Sequence, residues 1–172
     1  MKALRKFVTV LAISGIAVAC GDDNPVQLGN GNGGVTVADL AGAYTASSFA
    51  YTMIAPPNTV IDLIALTGEV TVNLSSDGSF TATLLLPGQT VAVPFSGTIS
   101  LSGTTLTLTV STLVVAGPIT LDPADPFVFD VFTLSGNQLT LSASMAEFDF
   151  TLCAAGPPCT EVPATLVLIL NR

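Results

Sequence analysis

The sequence predicts an all-β domain, an antiparallel meander of eight or nine short strands folded as a sandwich or an up-and-down barrel, behind an N-terminal signal helix and a flexible tether. Three observations carry this. From Asp39 onward apolar residues recur with a period of two, alternating with Thr and Ser as in a half-buried sheet. Turn-forming steps such as Asp77-Gly78, Pro87-Gly88 and Gly136-Asn137 interrupt that alternation at short intervals. Beyond residue 20 no run approaches the roughly 18 to 20 apolar residues a spanning helix needs.

Met1 to Lys6 is a basic start, and Phe7 to Ala19 is a 13-residue, mostly apolar segment. Both suit a secretory signal peptide and are too short for a membrane span. Ala17-Val18-Ala19-Cys20 resembles a bacterial lipobox, with Ala17 where Leu is usual. That resemblance implies cleavage after residue 19, a diacylated Cys20 and an exported lipoprotein of the bacterial cell envelope. Several acyl chains hold a protein on a membrane stably, where a single chain binds marginally. Gly21 after the cysteine resembles an outer-membrane sorting signal, while Asp22-Asp23 resembles surface-export signals of other lineages, so the leaflet stays open.

Gly29-Asn30-Gly31-Asn32-Gly33-Gly34 has no apolar periodicity and reads as a spacer. Residues 21 to 35 reach roughly 20 Å as a Gly-rich coil. The expected organisation is a signal peptide over 1–19, the lipidated cysteine and tether over 20–35, and the β-domain over 36–172.

Three of the four basic residues lie in the leader. After cleavage 12 acidic side chains face one basic residue, Arg172, a formal charge of −11. Such a domain is repelled by phosphate backbones, which excludes nucleic acid as a partner. The expected partners are the membrane, through the N-terminal lipid, and a small hydrophobic molecule.

Along the domain, strands are expected over about 42–54, 68–75, 79–86, 91–101, 104–115, 127–135, 138–145, 147–153 and 163–171. Val70, Val72 and Leu74 alternate with Thr71 and Asn73, and Phe80, Ala82 and Leu84 with Thr81 and Thr83. Gly97 interrupts the next strand and suggests a bulge or bend. Leu101-Ser102-Gly103 and Leu134-Ser135-Gly136 open two similar hairpins offset by 33 residues. Two copies indicate shared turn chemistry, not a solenoid. Phe127-Val128-Phe129 and Leu166 to Leu170 are apolar on both faces, so their outer faces should be covered. Val60 to Leu66 is the candidate cover, as a helical turn or lid, and a Pro-rich loop should precede Phe127.

Asp39-Leu40-Ala41-Gly42-Ala43-Tyr44, followed by Leu-Thr-Leu-Thr hairpins, resembles the lipocalin-like domains of bacterial lipoproteins. Gly42-Ala43-Tyr44 stands where lipocalins carry Gly-x-Trp, with Tyr in place of Trp. The resemblance implies that the meander closes into a small barrel and that Arg172 stacks on Tyr44 beside the last strand. It also implies an apolar interior, for which Phe80, Phe95, Phe129 and Phe148 are the candidate ligand-facing residues.

Cys153 and Cys159 are close in sequence and, in an exported protein, are expected to form a disulfide. Two remaining sulfurs without any histidine make no zinc site, and no metal or other cofactor is expected. With no histidine, and no lysine after the leader, neither a Ser-His-Asp triad nor a lysine nucleophile can be assembled. No catalytic residue is expected. Glu147 and Asp149 read as solvated charges on one strand face. Asp122, Asp125 and Asp130 could supply oxygen ligands for calcium, but their spacing matches no calcium motif and acidic loop residues are the preferred reading. Asp62, between Ile61 and Leu63, needs a hydrogen-bond partner if buried and could cap a short helix. The leading functional expectation is a membrane-anchored module binding a small hydrophobic molecule. The alternative is a structural or protein-interaction surface lipoprotein with a filled barrel or sandwich.

Overall fold

The computed structural model describes residues 34–152 and 161–172. The signal peptide, Cys20, most of the tether and both cysteines of the expected disulfide, Cys153 and Cys159, lie outside the described residues.

The described chain opens with a 3₁₀ turn, Val37–Leu40, and continues as β1 (Gly42–Met53), β2 (Val60–Asp62), β3 (Glu69–Leu74), β4 (Ser79–Leu85), β5 (Val93–Ser102), β6 (Thr105–Val110), β7 (Val114–Ala116), β8 (Ile119–Leu121), β9 (Phe127–Phe129), β10 (Val131–Ser135), β11 (Gln138–Phe148) and β12 (Val162–Asn171). All pairings are antiparallel. The main sheet has ten strands in the order β10-β11-β12-β1-β3-β4-β5-β6-β9, with β2 added beside β1. Its two outermost members, β9 and β10, are consecutive in sequence and separated only by Asp130. One bent strand therefore pairs with β6 through Leu106 and Phe129, then with β11 through Phe132 and Leu141. Leaving out β2 and counting this strand once, the sheet reduces to an eight-stranded up-and-down meander nearly closed into a barrel.

The alternation places the core as expected. Phe80, Ala82 and Leu84 on β4, Leu139 and Leu141 on β11, and Leu166, Leu168 and Leu170 on β12 are all buried. The two similar hairpins turn through Gly103-Thr104 and Gly136-Asn137, and both glycines have positive φ, 61° and 55°. A two-residue hairpin that follows the twist of its strands needs that conformation.

Two bulges bend strands where closure demands curvature. One interrupts the β1–β12 register between Ala46 and Ser48, the other the β11–β12 register between Ala143 and Ala146. An aspartate from a neighbouring segment holds each. Asp62 accepts hydrogen bonds from the Ser48 hydroxyl (2.8 Å), the Phe49 amide (3.0 Å) and the Ile64 amide (2.9 Å). Asp130 accepts from the Ser144 amide at 2.6 Å and from the Ser144 hydroxyl. At the same corner the Thr104 hydroxyl donates to the Asp130 carbonyl, and the Phe132 amide to the Thr104 carbonyl.

Several expectations are corrected. Gly97 makes no bulge: it pairs regularly with Phe80 and Val110. It is a place of close approach, because a Cβ there would lie 2.0 Å from the Thr109 carbonyl oxygen and 2.9 Å from the Phe80 ring. Val60 to Leu66 covers no outer face. Its first residues pair with β1 as β2, and the turn that follows, capped by Asp62, buries Leu63 in the core. Val128 and Val131 stay 44% and 51% exposed. The expected strand 104–115 ends at Val110, and the Pro-rich stretch after it carries the separate hairpin β7–β8, whose Val114, Ala116 and Ile119 are buried. The expected strand 147–153 is not a separate element among the described residues: the bulge carries β11 on to Phe148, and Leu152 donates back to the Asp149 carbonyl in a turn.

Candidate functional site

Inward side chains of the barrel enclose a cavity of about 110 Å³. Phe80, Phe95, Leu106, Phe129, Leu141 and Leu168 are among its walls, and among the described residues the two tyrosines Tyr44 and Tyr51 bring its only side-chain oxygens. Phe80 and Phe95 meet edge to face at 5.9 Å between centroids, as do Phe127 and Phe129 at 4.9 Å. Of the four aromatics singled out in the sequence, Phe80, Phe95 and Phe129 line the cavity. Phe148 does not: it is fully buried behind Tyr51, with the two rings stacked at 4.0 Å.

The end where β1 begins is closed. Asp39 accepts hydrogen bonds from the Thr36 amide and hydroxyl, fixing the 3₁₀ turn, and Leu40 at its end is completely buried. The Tyr44 hydroxyl donates to the Leu40 carbonyl at 2.8 Å, so its polar end is satisfied away from the cavity. The structure brings Arg172 over the Tyr44 ring at 5.8 Å from the centroid, within cation–π range. The guanidinium also donates to the carbonyls of Ala41 (2.9 Å), Asp39 (3.3 Å) and Gly136 (3.4 Å). It thereby ties the first strand, the last strand and the β10–β11 turn into one plug.

The other end is the mouth. There Phe49 and Phe150 surround the stacked pair of Tyr51 and Phe148. Ile119 and Leu121 of the β7–β8 hairpin reach the cavity wall. An outer crevice shares Tyr51, Ile119, Leu121 and Phe127 with the cavity, so the two adjoin across those side chains. Tyr51 is 5% exposed, and no hydrogen bond to its hydroxyl is formed among the described residues. No fully enclosed side-chain polar atom there lacks a partner, so this hydroxyl faces accessible space. Burial first, and then the neighbouring Glu161 carboxylate, push its pKa above the ordinary tyrosine value. Tyr51 therefore stays protonated through the physiological range, offering one donor and one acceptor.

Sequence reasoning missed Tyr51 for a definable reason. Strict alternation from Tyr44, an even position, would send it to the outer face, and the bulge at Ser47 reverses the parity. The hairpin contributors Ile119 and Leu121 sit in a Pro-rich stretch without strand periodicity.

The carboxylates do not assemble elsewhere. Asp149 is buried and accepts from the Thr151 amide and hydroxyl at 2.8 and 2.6 Å, so it is a turn staple, while Glu147 is exposed; the expected solvated pair is corrected on that point. Asp122 accepts from the Ala124 amide within its own turn, and Asp130 is committed to Ser144. Among the described residues no three potential metal-ligating side chains of the His, Cys, Asp and Glu types come together, so Asp122, Asp125 and Asp130 form no joint calcium cage. No family model, curated protein or solved structure matches the chain.

Proposed function

We propose that the chain is an exported, lipid-anchored protein of the bacterial cell envelope, held at the outer membrane, whose lipocalin-like barrel binds a small hydrophobic molecule. The observation that carries the binding role is an apolar cavity plugged at one end and adjoining an outer crevice at the other. A void of about 110 Å³ costs roughly 2–3 kcal/mol at about 24 cal/mol per Å³, and an apolar guest recovers part of that. A guest of about five heavy atoms gains at most about 1.5 kcal/mol per atom, which sets a dissociation constant no tighter than about 3 μM. The site thus suits the end of a short alkyl chain or a single small ring, not a large multi-ring ligand.

Anchoring rests on the lipobox resemblance around Cys20 and on the spacer after it. Replacing Cys20→Ser should leave the barrel folded and move the protein from membrane to soluble fractions; retention on membranes would contradict the anchor. Native mass spectrometry with organic extraction of the purified protein tests the binding role, and a small apolar adduct released on denaturation is expected. A second reading, a protein-interaction lipoprotein, draws on the exposed apolar side chains of Val91, Leu113 and Val115 near the mouth, 74%, 59% and 63% exposed. Recovery of no adduct, with a protein captured through that rim, would favour it.

A further inference from the structure

The chemistry of the mouth narrows the class of guest, and this inference rests on the binding role proposed above. The crevice beside the cavity is lined by Asp122, Asp125, Asp130, Glu147 and Glu161 and by no basic residue. Arg172, the one cation after the leader, sits at the opposite, plugged end. Asp122 and Asp130 already accept hydrogen bonds from their own surroundings. Glu147 and Glu161 have no such donors among the described residues, and the β11–β12 register places them near each other, with Glu147 opposite Pro163 and Phe148 opposite Val162. A row of surface carboxylates alone would indicate only a solvated rim. The second observation is Tyr51, nine-tenths buried, its hydroxyl unpartnered among the described residues and its side chain lining both cavity and crevice.

We propose that cavity and crevice form one amphiphile site selective for a cationic head: a short alkyl chain enters the barrel, and a protonated primary amine is held at the mouth by the Tyr51 hydroxyl oxygen and the carboxylates of Glu147 and Glu161. An ammonium has three donors and no acceptor, which matches one hydroxyl oxygen and two acceptor-only carboxylates. An alcohol keeps the Tyr51 hydrogen bond and forgoes the charge. A carboxylate head meets like charges in a partly desolvated crevice, where repulsion is screened less than in water. The cavity of about 110 Å³ has room for roughly four groups of about 30 Å³, which fits a butyl or pentyl tail.

Titration of the purified full chain at pH 7 with pentylamine, 1-pentanol, pentanoate and benzene, followed by calorimetry and by tyrosine and methyl chemical shifts, tests this. Pentylamine should bind at least tenfold more tightly than pentanoate, with pentanol between them. Tyr51→Phe, which keeps the stacked ring, should weaken the amine and the alcohol about tenfold and leave benzene unchanged. Glu161→Gln, at an exposed position, should close much of the gap between amine and carboxylate and leave pentanol unchanged. Equal or tighter binding of pentanoate would overturn the head-group selectivity while benzene binding preserved the apolar-guest role. So would amine and alcohol affinities indifferent to Tyr51→Phe or, if that variant does not fold, an amine preference indifferent to Glu161→Gln. Failure of all four probes, benzene included, would overturn both.

Discussion

At Asp62, burial and hydrogen bonding act in opposite directions on one carboxylate. Burial alone raises its pKa, but the donors from Phe49, Ser48 and Ile64 together outweigh it and hold the group below the ordinary carboxylate range. The folded pKa is thus depressed relative to the unfolded value of about 3.9. The stabilisation is fully present above that unfolded pKa and is lost as pH falls through the folded one. We expect Asp62→Asn to cost about 1–3 kcal/mol at pH 7 in urea unfolding, because buried amides lose a charged acceptor. The variant should also lose less of its remaining stability than the native chain between pH 4 and pH 2; a parallel loss in both would mean that Asp62 does not carry the linkage. The residue-scale roles were only partly legible in the sequence. Asp62 between Ile61 and Leu63 signalled the need for a partner, and it has several; the short helix it was expected to cap is a hydrogen-bonded turn instead. That its partners lie on β1 could not be read, because they come from 13 and 14 residues away across a bulge.

The two bulges divide what alternation could locate from what it could not. Within each regular run, parity placed the core correctly: Val70 and Leu74, Phe80 to Leu84, and Leu166 to Leu170 are buried on the expected face. Across a bulge parity reverses, so Tyr51 and the true end of β11 escaped notice. The seam is the second case. The sequence shows one apolar strand from Phe127 to Ser135, and the structure bends it at Asp130, so that its first half serves β6 and its second half β11. Asp130, its pKa lowered chiefly by the Ser144 hydroxyl and amide, fastens that bend to the β11 bulge. Replacing Asp130→Ala should destabilise the barrel by about 1–2 kcal/mol and speed amide exchange at Phe132 and Ser144 more than at β3 or β4. Uniform acceleration, or none, would show that the seam does not depend on this carboxylate.

On the scale of the molecule, the all-β class, the meander order and the approximate strand positions were legible because, β2, the β7–β8 hairpin and the β12–β1 closure aside, each strand pairs with the next in sequence and short turns mark most joints. Closure was not written in any single segment; it arises from the handover at Asp130 and from the plug of Tyr44, Leu40 and Arg172. The cavity was legible only as a set of inward aromatics, since whether such side chains meet or leave a gap depends on strand tilt and bulge placement, which periodicity does not encode. Their arrangement leaves an interior lined, among the described residues, by apolar side chains and two tyrosines, and the binding role depends on that interior. Xenon is the most direct probe of it, since a dry apolar cavity of comparable size takes up xenon or benzene. We expect the purified protein under xenon pressure to show one saturable site, with methyl shifts concentrated at Leu106, Leu141 and Leu168 inside the barrel. Absence of a site, or shifts confined to exposed residues such as Val91 and Val115, would contradict an interior able to hold a guest.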